Sequence, residues 1–247
     1  MTTIFLIIAG ILIGTIVIAL GGGGAAFYLG ILSSSFNLAP ATAAATSVVT
    51  AVPPLIIGVI AYIKQGRVNF RLGNQMLLAS LPAVIIGSII APYIPEQLYK
   101  WLIAIILVYL GIRIFVQQFK KTKKKKQHGK FAAAVYGFIS GLMVGVAGLS
   151  GGGPVLAGLL ILGLDTFNAT ATSSYVLVGM CVLGSALHLT TGSIYWQAGI
   201  PLIIGAAIGA LIAPYVVQHF LSKSKYAYLV QYFIAIVLVI MGIKTVF

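Results

Sequence analysis

Apolar residues run in long, nearly unbroken blocks along this chain, and polar residues fall in the gaps between them. Eight long blocks stand out, roughly 4–20, 43–63, 74–94, 99–118, 131–147, 168–190, 198–220 and 226–246. Each is close to the ~20 residues that a helix needs to cross about 30 Å of hydrocarbon. Two shorter blocks, 24–35 and 153–164, each follow a glycine cluster. At about 1.5 Å per residue neither comfortably spans a bilayer, so both are expected to be half-helices or re-entrant segments. The fold class expected is therefore all-α and integral to a membrane, with eight long transmembrane helices and two short glycine-headed segments.

The pattern also repeats. Leu20-Gly21-Gly22-Gly23-Gly24 matches Leu149-Ser150-Gly151-Gly152-Gly153, and 41–47 matches 167–173. Gly66-Arg67-Val68-Asn69-Phe70 parallels Gly192-Ser193-Ile194-Tyr195-Trp196. Ile90-Ala91-Pro92-Tyr93 recurs as Ile212-Ala213-Pro214-Tyr215, and Gly111-Ile112 as Gly242-Ile243. Five matches in one order divide the chain into a first repeat, 1–116, a linker, 117–130, and a second repeat, 131–247. Internal duplication is a habit of secondary transporters. If the short segments are re-entrant, each half has four spans and the repeats are parallel; if they cross, each half has five and the repeats are inverted.

Composition narrows the class. Charged residues are 7% of the 247 and apolar residues 60%, against about a quarter charged in soluble domains. The net charge of +13 does not describe a nucleic-acid binder, because seven of the fifteen Lys and Arg lie between Lys120 and Lys130. That distribution is what positive-inside orientation produces. The linker and the loop holding Lys64, Arg67 and Arg71 are expected on the cytoplasmic side, with Lys120–Lys130 near anionic head groups. Met1-Thr2-Thr3-Ile4 lacks a basic region, so no cleaved signal peptide is expected. Cys181 stands alone and reads as a small buried hydrophobe.

Candidate chemistry centres on the glycine clusters. Glycine lets a helix start abruptly from unwound backbone, and Pro154 suits a first helical turn. A helix N-terminus offers unpaired N–H donors and partial positive charge, so it binds anions. Gly22, Gly23 and Gly24, with Gly151, Gly152 and Gly153, are the expected backbone donors. Thr46, Ser47, Thr172 and Ser173 are the expected side-chain donors, read as lying where the long helices begin; Ser174 lies beside them, and Asn37 and Asn168 in the preceding turns. The competing roles are close helix packing for the glycines and helix capping for the hydroxyls. Glu96 and Asp165 are the only acids, and Asp165 reads as a turn or cap residue. So few carboxylates favour an anionic over a cationic cargo. His188 lies well inside a block and is a candidate proton-coupling group. Gly148-Leu149-Ser150-Gly151 has the GxSG form of intramembrane serine proteases, but Ser150 aligns with Gly21 as one more small residue of a cluster. No GxxxxGK[ST] run for ATP is present.

A duplicated membrane chain whose halves each open on a glycine-rich stretch followed by a Thr-Ser pair resembles the TauE/SafE sulfite exporter family. The motifs are Leu20–Gly24 with Thr46-Ser47, and Leu149–Pro154 with Thr172-Ser173. The resemblance implies a carrier rather than an enzyme, moving sulfite or a related sulfur oxyanion or organosulfonate, usually outward, across a bacterial-type plasma membrane as a multi-pass protein. A channel-like anion conduit is the alternative, and an intramembrane serine protease a more distant one. No cofactor, metal or nucleic acid is expected. Expected partners are the small sulfur-containing anion and membrane lipids; a homo-oligomer is left open.

Overall fold

The computed structural model describes residues 2–20, 24–36, 38–117, 130–148, 151–191 and 194–216, with isolated positions 236, 239, 240 and 243. Among these residues the ordered structure is helical: α1 (Thr2–Leu20), α2 (Ala25–Ser35), α3 (Pro40–Lys64), α4 (Phe70–Ile90) and α5 (Glu96–Gln117) precede the linker. After it come α6 (Lys130–Ala147), α7 (Gly152–Ile161), α8 (Thr166–Thr191) and α9 (Trp196–Val216). A 3-10 turn, Ala91–Tyr93, joins α4 to α5. Pro40–Lys64, Phe70–Tyr93, Phe167–Leu189 and Trp196–Ala213 are long and apolar enough to cross a membrane by themselves. The expected block 226–246 and the linker 118–129 lie outside the described residues.

Burial does not follow polarity. Ala43, Ala44, Ala45, Thr46, Ser47, Thr172, Ser173 and Ser174 are wholly buried, while Leu78, Ile4, Ile105 and Leu211 are more than half exposed. A water-soluble core would show the reverse. Large apolar side chains outside and small residues between helices are what packing in hydrocarbon selects. This is a membrane protein.

Small residues also decide which helices touch. A Cβ at Gly10 would lie 2.7 Å from the Leu202 carbonyl oxygen, and Cβ atoms at Gly205 and Gly209 would collide with the carbonyls of Ile7 and Ile11. Rising numbers meet rising numbers, so α1 and α9 run parallel at backbone contact. In the same way Gly137, Gly141 and Gly145 of α6 sit against the carbonyls of Met76, Ser80 and Val84, so α4 and α6 are parallel too. α1 and α4 thus each pack most closely on a helix from the other side of the linker.

The long helices α3 and α8 run antiparallel. Asn69, just past the end of α3, donates its N–H to Thr172 Oγ1 near the start of α8 (2.9 Å). Tyr195, just past the end of α8, donates its N–H to Thr46 Oγ1 near the start of α3 (3.0 Å). Arg67 stands 6.0 Å over the Phe167 ring and Phe36 packs on Tyr195 with ring centroids 6.1 Å apart, one pair at each end. The last turn of α1 meets the last turns of α3, where Tyr62 donates to the Ile18 carbonyl (2.6 Å). From these directions α3 and α9 end on the face that carries Lys64, Arg67 and Arg71, and α6 and α8 start there. That basic face contrasts with an opposite face where α1, α3 and α9 begin.

Candidate functional site

The second glycine cluster makes a sharp reversal. Gly148 and Gly151 have φ of 64° and 62°, the left-handed region that a Cβ disfavours. α6 ends at Ala147 and α7 runs back beside it from Gly152, and Ser140 donates its hydroxyl to the Gly151 carbonyl. Ser140 is ten residues into α6, about 15 Å along a helix at 1.5 Å per residue. The first turn of α7 therefore starts near half depth in a bilayer of about 30 Å core. From there α7 descends beside α6 towards the basic face, Gly158 packing against Tyr136 and Met76. Its ten residues cover only about 15 Å. The expected half-helix is present, headed by glycine.

The reversal is tightly packed. A Cβ at Gly148 would lie 2.5 Å from Ala44 Cα of α3, and one at Gly151 would strike Ser140. Gly151 and Gly152 are buried and Gly153 half-buried. Close approach is thus one reason for glycine at Gly148 and Gly151. The N–H groups of Gly152 and Gly153 belong to a first helical turn, where no carbonyl of the same helix can accept them. In the first cluster Gly22 and Gly23 lie outside the described residues. Gly24 has φ −61°, so it needs no left-handed backbone; a Cβ there would press on the Tyr28 ring at 2.9 Å.

The four hydroxyls divide in a way their sequence positions hide. α3 and α8 begin earlier than expected, at Pro40 and Thr166, so Thr46 and Thr172 sit nearly two turns inside. Thr46 also donates to the Thr42 carbonyl (2.7 Å), and both threonines accept N–H groups at the starts of α9 and α4. Ser47 donates to the Gly148 carbonyl (2.8 Å) and to Ala44, tying α3 to the reversal. Ser173 is different: its hydroxyl is fully buried and has no hydrogen-bond partner. Thr50 Oγ1, one turn beyond Ser47 on α3, is likewise unpartnered. Capping and tethering account for Thr46, Thr172 and Ser47, leaving Ser173 as the free donor of the four.

Two further expectations resolve. Asn168 belongs to the first turn of α8 rather than to the turn before it, and Asp165 caps that helix by accepting the Asn168 N–H at 3.1 Å. This bond, helped by the Asn168 amide, holds the Asp165 carboxyl below its ordinary range. His188 is 5% exposed and hydrogen-bonds the Val144 backbone of α6. Asn37 and Ser150 lie outside the described residues. Among the described residues no cluster of His, Cys, Asp or Glu could hold a metal. Sequence reasoning passed over Ser140 and Thr50, and met Gly148 only as part of the GxSG run. Ser140 and Thr50 were detectable as polar residues in apolar blocks.

Known proteins match this arrangement over most of its length. The chain is 24% identical over 209 residues to the probable membrane transporter protein YdhB of Bacillus subtilis, covering 81% of this chain and 84% of that one. It is 21% identical over 273 residues to the probable membrane transporter protein YunE of the same organism, covering 100% and 98%. A shorter match, 27% over 164 residues, covers 63% of this chain and 55% of an undecaprenyl-diphosphatase of Corynebacterium glutamicum. The family model described as sulfite exporter TauE/SafE matches residues 6–245. The protein therefore belongs to the TauE/SafE family of membrane transporters.

Proposed function

We propose that this protein is a secondary carrier that exports sulfite, or a related sulfur oxyanion or organosulfonate, across a bacterial-type plasma membrane through a site near half depth. The observation that carries the reading is the start of α7: a helix N-terminus beside Ser140, presenting the Gly152 and Gly153 N–H groups at mid-membrane. There a compact oxyanion gains hydrogen bonds and a favourable helix dipole without a buried cation. Ser173 and Thr50, buried and unpartnered, supply hydroxyl donors on the two central helices.

The two halves are read as inverted repeats. Thr46 and Thr172 are matched positions, as are Tyr195 and Asn69, and the two cross-connections they make are the same bond made twice. The antiparallel course of α3 and α8 favours five crossings per half over four. One half rocking against the other would then expose the site to each side in turn. Gly22, Gly23 and Gly24 are proposed as the matching donors of the first half. The basic linker, Lys120–Lys130, is proposed to lie against anionic head groups, each Lys near the surface contributing ~1 kcal/mol.

Counterflow in proteoliposomes with labelled sulfite, sulfate, thiosulfate and a short sulfonate tests the reading. Saturable exchange of at least one sulfur anion is expected. Exchange of a cation with none of these anions would overturn it.

A further inference from the structure

Beside the end of α6, near the face opposite the basic loops, α4 and α8 carry polar groups that no packing need explains. His188 Nε2, Ser88 Oγ and Ser185 Oγ are all buried and without partners. Helix directions bring them together. α4, α6 and α8 run parallel, and a Cβ at Gly184 of α8 would touch Val144 of α6, Val48 of α3 and Val84 of α4. One turn further, in the same direction on parallel helices, stand His188 of α8 and Ser88 of α4. Ser88 is 3% exposed, and its backbone N lies 2.9 Å from the place a Cβ would take on Gly145, the residue after Val144. Ser185 is three residues before His188 on α8, on a neighbouring position of that helix surface.

The ring of His188 is oriented by its backbone bond at Val144. With Nε2 unpartnered, that bond is made by Nδ1–H, so the neutral ring presents a lone pair at Nε2. Glu96 and Lys100, in the first turns of α5 just past the end of α4, are ionic groups on the same side of the molecule as His188. Lys64 ends α3, Arg71 opens α4, Lys130 opens α6 and Asp165 precedes α8, all at the far, basic face. Tyr62, Tyr136 and Tyr175 belong to that half as well, and Tyr195 OH is bonded to Gln197. The last turn of α6, whose Val144 backbone His188 bonds, has a dipole that favours positive charge.

The matched positions carry no such set. Tyr62 stands where His188 does and spends its hydroxyl on the Ile18 carbonyl. Val59 and Ala210, both buried, stand in place of Ser185 and Ser88. A polar set that served only to join helices would be expected at both matched places; this one stands at one of them, near Ser140 and the start of α7.

We propose that His188, Ser88 and Ser185 form a proton-binding site, with Nε2 as the acceptor. A hydronium ion from the face opposite the basic loops gives its proton to the Nε2 lone pair and leaves as water. A serine hydroxyl oxygen then accepts from the new N–H. Val144, whose backbone His188 bonds, is one helical turn along α6 from Ser140, which meets Gly151 at the start of α7, where the carrier reading seats its anion. Coupling of anion movement to protons rests on that reading; proton binding at His188 does not.

Nitrogen-15 NMR of histidine-labelled full-length protein in lipid nanodiscs tests the site, with His188→Gln assigning the resonance. The signal is expected to change from that of a neutral ring to that of a charged one as pH is lowered. Ser88→Ala with Ser185→Ala keeps the Val144 bond and should weaken proton binding about tenfold, since bonds to a charged donor are the strong ones. A resonance that stays neutral throughout, a chamber of water only, would overturn the proposal, as would a titration indifferent to both serines. In proteoliposomes, a pH gradient should accelerate labelled sulfite flux in the unsubstituted protein and lose that effect in the double serine variant. Titration without any anion flux would count against the carrier reading alone; flux with an unchanged gradient effect in the variant would sink the coupling.

Discussion

Gly151 combines a left-handed backbone with a neighbour, Ser140, that leaves no room for a side chain. Gly151→Ala is expected to lower thermal stability in detergent by ~1–3 kcal/mol, through strain and overpacking together. Differential scanning fluorimetry reads it, and an unchanged melting temperature would refute the packing account. The serines separate binding from tethering. Ser47→Ala leaves the Gly148 carbonyl without its donor and should cost ~1–3 kcal/mol of stability. Ser173→Ala removes an unpartnered buried hydroxyl, so stability should hold or rise. Its cost should appear in transport, as a KM for the anion raised about tenfold. A destabilised Ser173→Ala with normal transport would assign that residue to packing.

At the scale of elements, the paired connections of Thr46 to the start of α9 and Thr172 to the start of α4 lie at opposite ends of the central pair. Each threonine satisfies an N–H that the helix start itself cannot. Thr46→Val and Thr172→Val should each cost ~1–2 kcal/mol, and the two effects should add, because the sites share no partner. Urea or thermal unfolding of the single and double variants measures this; a double variant no worse than either single would disprove independent ties. The start of α8 is pH-sensitive in a defined direction. Asp165 is held below its ordinary range by the Asn168 N–H, so its capping is present above the unfolded carboxyl range and is lost as pH falls through the lower folded value. Melting followed from about pH 7 to about pH 3 should show a decline at the acid end that Asp165→Asn abolishes.

For the whole molecule, the directions of α3 and α8 place the connections after them on opposite faces. Gln65, after α3, and Gln197, in the first turn of α9, are both exposed. With Cys181 replaced by serine, single cysteines at these two positions should react with a membrane-impermeant maleimide from opposite sides of oriented vesicles. Labelling of both from one side would contradict the antiparallel course. The same directions put Lys64, Arg67, Arg71 and the exit of α9 on one face, which is the distribution expected of a cytoplasmic side.

The apolar blocks were legible because span length is a local property: about 20 residues meet a fixed hydrocarbon thickness whatever lies beside them. The membrane environment, the existence of α1, α3, α4, α5, α6, α8 and α9, the two short segments and the special backbone of the second glycine cluster all follow from that and from the chemistry of glycine. Which helix touches which did not follow. α1 meets α9, and α4 meets α6, through glycines and carbonyls on segments far apart in sequence, and in hydrocarbon no alternation of polar and apolar residues marks the inner face. The fates of the hydroxyls depended on those encounters. Thr46, Ser47, Thr172 and Ser173 are equivalent as residue types, yet a remote backbone occupies three and leaves the fourth open. Composition and periodicity determined that this chain crosses a membrane with paired glycine-headed segments. Only the tertiary structure decided that α3 and α8 oppose each other, because helix direction is settled by contacts between distant segments and not by any property of one segment alone.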